Sequence, residues 1–227
     1  MSAAAPLGLA NLPAPLGPAS ADPGGGYLYS FGGQPWWLDS QQNTWQLNAT
    51  RGDFLPGDQA MLEWNFDPSA GITGGTVMTK TDVSLARINI RTPTVVNNVW
   101  LHCVTAATGQ TSNQNFVGIY NSAGTLLGSS AAGSLDGKLT TGAVVTQPLT
   151  GPVSLGPGFY WVAALFNSSG TAVLLAEAAN SAVNANTGLS AANYRWATNG
   201  TGTTLPSTIT PASNSLTGAI PFWTGVS

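Results

Sequence analysis

Short apolar runs, each closed by Gly, Asn, Ser or Pro, recur from residue 76 to about residue 178. That grammar narrows the fold more than any other feature of the chain. The clearest example is the stretch 115–128, Asn-Phe-Val-Gly-Ile-Tyr-Asn-Ser-Ala-Gly-Thr-Leu-Leu-Gly. Phe116, Gly118 and Tyr120 alternate with Val117 and Ile119, so apolar side chains fall on both faces. A strand of this kind belongs inside a sheet or a packed sandwich. Residues 121–124 supply turn chemistry, with Gly124 free to take positive φ, and Thr125-Leu126-Leu127 begin the return strand. The stretch therefore predicts a β-hairpin with a four-residue or bulged connection.

The same pattern predicts strands at 75–81, 83–90, 95–105, 115–120, 125–130, 142–147, 158–166 and 172–178. In the third of these, Val95, Val99, Leu101 and Cys103 are expected on one face, with Val96, Asn98, Trp100 and His102 on the other. Gly156-Pro157-Gly158 is a tight turn before the run 159–166, which is apolar on both faces and reads as a central strand. About eight strands with frequent turns predict an all-β fold, an antiparallel β-sandwich of jelly-roll type spanning residues 76–178. Phe116, Ile119, Trp161 and Val162 are expected in its core.

The flanks differ in character. Residues 1–26 are Ala-, Pro-, Gly- and Leu-rich, and Pro6, Pro13, Pro15 and Pro18 forbid a helix. They predict an extended arm that lays Leu7, Leu9, Leu12 and Leu16 on a neighbour. Residues 27–75 hold Trp36, Trp37, Trp45 and Trp64 among frequent Gly and Pro, so regular structure there should be short. Trp36 and Trp37 are candidates for an assembly interface, because large rings bury much area with few rotors. A sugar-binding platform is the alternative use of these aromatics. Residues 179–227 change character again and are expected to pack on the sandwich or on a partner. Phe222 and Trp223 should be buried, in this fold or at an assembly interface.

Charge excludes some functions. Charged residues make up 7% of the chain, against roughly 25% in ordinary globular proteins. The net charge is −3 and the six basic residues are scattered, which disfavours nucleic-acid binding. A surface so poor in charge suits a protein held in an assembly or exposed outside the cell. The N-terminal residues lack the basic start of a signal peptide, and their apolar run is broken by proline, so neither a secretory leader nor a membrane span is expected.

Catalytic signals are weak. His102 is the single histidine and Cys103 the single cysteine, so neither an intrachain disulfide nor a typical zinc site is expected. Asp53, Asp58, Glu63 and Asp67 lie close in sequence, which is compatible with a carboxylate pair but reads better as loop solvation. No calcium-loop spacing accompanies them. Arg51-Gly52-Asp53 matches an integrin-read tripeptide and reads as chance. The chain is expected to be no enzyme and to need no cofactor.

Several ordered blocks carry a family resemblance. They are 83–88 (Val-Ser-Leu-Ala-Arg-Ile), 99–102 (Val-Trp-Leu-His), 105–109 (Thr-Ala-Ala-Thr-Gly), 113–127, 158–163 and 204–214. Together they resemble a β-domain of structural proteins from actinobacterial tailed phages and prophages, over roughly residues 63–227. Members of that family are minor tail or other virion proteins. The resemblance implies a particle component, assembled in the host cytoplasm and released by lysis, and it supplies no catalytic residues. Phage appendages are commonly trimers, so a homotrimer contacting other virion proteins is expected. The alternative is a carbohydrate-binding module that recognises host cell-wall glycans.

Overall fold

The computed structural model describes residues 10–11, 26–31, 34–39, 44–46 and 55–227. The chain divides into two compact units, residues 1–54 and 55–227.

In the first unit, β1 (Ala10–Asn11), β2 (Gly26–Phe31), β3 (Gln34–Asp39) and β4 (Thr44–Gln46) form one small sheet in that order. β1 runs parallel to β2, and the other pairings are antiparallel. Trp36 stands between Tyr29 and Gln46, and Trp37 between Leu28 and Trp45. Leu7, Leu9, Leu12 and Leu16 of the expected arm lie outside the described residues.

The second unit is an all-β sandwich of two antiparallel sheets. Its strands are β5 (Glu63–Trp64), β6 (Gly71–Val77), β7 (Asp82–Ile90), β8 (Thr94–Thr105), β9 (Phe116–Asn121), β10 (Leu126–Ser129), β11 (Ala143–Leu155), β12 (Gly158–Leu165), β13 (Leu174–Ala178), β14 (Trp196–Thr201) and β15 (Thr224–Val226). The first sheet has the order β10-β9-β12-β7-β14. In the second, β8 pairs with β11 along most of its length on one edge. Its other edge is shared by β15 and β13, which pair onward with β5 and β6.

The eight strands expected between residues 75 and 178 are all present, and β12 is central, flanked by β9 and β7. The expected domain limit at residue 75 falls inside β6, and residues 179–227 contribute β14 and β15 to the two sheets.

The main core lies between the sheets. Ala86, Ile88, Val117, Ile119, Val162 and Ala164 face Val96, Val99, Leu101 and Cys103. The burial of Cys103 raises its thiol pKa and fits its reading as a small apolar residue. One facing expectation is corrected here. Val96, not Val95, joins Val99 in the core, and Val95 is 48% exposed. The cause is a bulge. The N–H groups of Asn97 and Asn98 both donate to the carbonyl of Ser227, at 2.7 and 2.8 Å. Two residues opposite one shift the alternation of the strand by one. β11 also runs further than its apolar pattern suggested, through Pro148 and Pro152. As an edge strand it tolerates residues without an N–H, and its register shifts between Pro148 and Val153.

The apolar outer face of the first sheet has its own cover. Val83, Leu85, Phe116, Tyr120, Trp161 and Leu165 form a second cluster with Ile209. Leu205 packs on it, so a strap of chain, not another sheet, closes that face. The strap is pinned by polar contacts. Tyr120 donates its hydroxyl to the Pro206 carbonyl at 2.6 Å, and Leu126 N–H donates to the Ser207 carbonyl at 2.9 Å.

Candidate functional site

Among the described residues, the outer face of the second sheet is covered only in part. Residues 55–70 fold across it, and Met61 and Trp64 pack with Trp223 in a third cluster. Short-range polar contacts shape this crossing. The Asp58 carboxylate accepts from the Leu55 N–H at 2.9 Å, and that of Asp67 accepts from the Ser69 N–H at 2.8 Å. Asn65 bridges to the C-terminal chain, donating to the Phe222 carbonyl and accepting from the Thr224 N–H.

Between this crossing and the sheet lies a cleft of about 190 Å3. β8 contributes Trp100 and His102 to it, β11 contributes Val144 and β13 contributes Ala176. Phe66, Met61 and Gln59 come from the crossing segment. Alternation along β8 places Trp100 and His102 on the same outward face, as the sequence predicts. The indole of Trp100 donates to the Ser227 hydroxyl at 2.9 Å, and that of Trp223 to the Phe66 carbonyl at 3.1 Å. Both indole N–H groups are therefore committed, and the rings act as fixed apolar surfaces.

His102 is half-buried, and among the described residues no carboxylate lines the cleft beside it. The cleft thus offers aromatic walls, one imidazole and the Gln59 carboxamide. That arrangement suits a ligand with one apolar face and several hydroxyl groups.

The carboxylates noted in the sequence are dispersed. Asp58 and Asp67 serve their own turns. Glu63 accepts from the Trp64 N–H and lies 4.0 Å from Arg91. Burial pushes the Glu63 pKa up, opposed by that N–H and by Arg91. Among the described residues, no three of His, Cys, Asp and Glu gather in a metal-binding group. Asp53 and the Arg51-Gly52-Asp53 tripeptide lie outside the described residues.

Of the expected interface residues, Phe222 and Trp223 are buried within their own chain. Phe222 sits in the main core and Trp223 in the third cluster, where it also lines the cleft. Trp36 is half-buried. Gln59 and Ala176 escaped the sequence reading, because only the fold brings residues 59–71, 100–102, 176 and 223 together. No helix among the described residues is long and apolar enough to cross a membrane.

The chain matches no protein-family model, no curated protein and no solved structure.

Proposed function

We propose that this protein is a structural component of a phage virion, a minor tail protein or a surface decoration. In this reading the N-terminal region attaches it to the particle and the sandwich is displayed. The observation that carries the reading is where the family-like blocks fall. Residues 83–88 lie in β7, 99–102 in β8, 113–127 across the β9–β10 hairpin and 158–163 in β12. Residues 204–214 include the strap that closes the first sheet. Residues 105–109 lie mostly in the loop after β8, and the blocks that fall on strands support reading the domain as a structural scaffold. The low charge and the separate N-terminal unit fit a subunit of a larger assembly.

The test is complementation of a phage lacking this gene. A chain without residues 2–22 should still fold, since none of the sandwich strands is removed, and should be missing from purified virions. Normal occupancy by the truncated chain would end the docking role. Assembly as a homotrimer predicts a light-scattering mass three times the 23.1 kDa of the chain. A monomer at micromolar concentration would exclude it.

The aromatic cleft favours a second reading compatible with the first, in which the displayed sandwich binds host cell-wall glycan. Trp100→Ala should then abolish retention on host cell walls while leaving the circular dichroism spectrum unchanged. Undiminished retention of a folded variant would remove the cleft from this role.

A further inference from the structure

The first sheet carries a polar pocket that the cleft does not include. The Arg87 N–H donates to the Arg195 carbonyl at 2.7 Å, which sets two arginines side by side across the β7–β14 edge. Like charges directly opposite one another on paired strands oppose folding. Among the described residues neither arginine has a carboxylate partner, and the ion pair there joins Arg91 and Glu63. With Asn65, Asn89 and Trp196 they line a pocket of about 170 Å3.

The two guanidinium groups are prepared differently. That of Arg87 is half-buried and fixed. Its Nη1 donates to the Asn193 carbonyl at 2.6 Å, and its Cζ lies 5.4 Å from the Phe159 ring centroid. Burial, and then the positive charge of Arg195, lower the Arg87 pKa. The Arg195 side chain is exposed and free to adjust. One anchored and one adaptable guanidinium form a site for an oxyanion, because the planar fork of N–H donors meets a carboxylate in plane. Arg195 and Trp196 also border a wider hollow of about 340 Å3, lined by Phe66, Asn180, Asn184 and small alanines. Its carboxamides suit hydroxyl groups, and Arg195 is the one charged side chain among the described residues that line it.

We propose that the Arg87–Arg195 pocket binds the carboxylate of an acidic saccharide whose ring lies in the adjoining hollow. This stands apart from the virion reading, and the arginine pocket shares no lining residue with the aromatic cleft, although the adjoining hollow meets that cleft at Phe66.

The test is calorimetric titration of the full chain with glucuronate, glucose, acetate and inorganic phosphate. Glucuronate should bind saturably, acetate more weakly and glucose not at all. Arg195→Gln should weaken glucuronate binding by about tenfold to a hundredfold, the worth of a charge-assisted contact. Arg195→Lys should retain part of it. Because Arg195 is exposed, Arg195→Gln should keep the native circular dichroism spectrum, and Trp100→Ala should leave glucuronate affinity unchanged. Absence of saturable glucuronate binding would overturn the proposal, as would equal affinity in a folded Arg195→Gln variant. Phosphate binding more tightly than both carboxylates would overturn the ligand class.

Discussion

Trp161→Ala is expected to remove about 3–5 kcal/mol of stability, the usual loss when a buried tryptophan is truncated. Domains of ordinary stability hold only about 5–15 kcal/mol in all, so the variant should unfold at a much lower urea concentration. The size follows from the position. Trp161 is fully buried on central strand β12, between Arg87 on β7 and Tyr120 on β9. Its ring meets Phe159 edge-on at 5.2 Å, and its indole N–H donates to the Tyr194 carbonyl at 3.1 Å. Truncation would open a cavity under the strap and leave that carbonyl without its donor. Trp161→Phe should lose less, because most of the ring volume is kept. The check is urea unfolding followed by far-ultraviolet circular dichroism. A loss below about 1 kcal/mol for the alanine variant would mean that the outer layer contributes little, contrary to its burial.

Gly124→Ala should cost about 2–5 kcal/mol, combining a left-handed backbone with an overpacked contact. Gly124 has φ +89°, and a Cβ built there would clash with the Ile209 carbonyl oxygen. That oxygen belongs to the strap, whose Ile209 N–H donates to the Gly124 carbonyl at 2.8 Å. An added methyl group would therefore push the strap off the hairpin. Gly137 provides the control. Its φ is +73°, yet no atom lies within 4 Å of a Cβ built there. Gly137→Ala should lose only the backbone component, about 1–2 kcal/mol. Equal losses at the two sites, measured by the same urea titration, would show that strap contact at Gly124 adds nothing.

The strands were legible where side chains alone specify them. Two-faced apolar runs such as 116–120 and 159–165 predict interior strands, and β9 and β12 are interior. What completes their second face was not legible, because the strap is irregular chain with a few apolar contacts such as Leu205 and Ile209. β5, β14 and β15 escaped for a related reason. β5 and β15 are short, and all three are defined by backbone pairing, β5 with β15, β14 with β7 and β15 with β8, rather than by a period of their own. The facing of Val95 and Val96 could not be read locally, because the bulge depends on the carbonyl of Ser227, far along the chain. The cleft shared this difficulty. Trp100 and His102 are visible as one strand face, whereas Phe66, Ala176 and Trp223 join them only through topology. The two arginines looked scattered at positions 87 and 195, and strand pairing made them neighbours.

In the sandwich, β9 and β10 alone pair as chain neighbours. From β6 onward each of the other steps crosses between the sheets, from β6 to β7, β7 to β8, β8 to β9 and so on. Every other pairing must close a long loop before any contact rewards it. Folding of such a topology proceeds on the order of milliseconds to seconds, slower than helical domains of similar stability. The hairpin is then the natural local starting point, and β12 can add to it once residues 130–157 have been brought back. During that interval the unpaired edges of β7 and β9 stay open to other chains. A protein made in many copies for one assembly would meet that hazard at high local concentration.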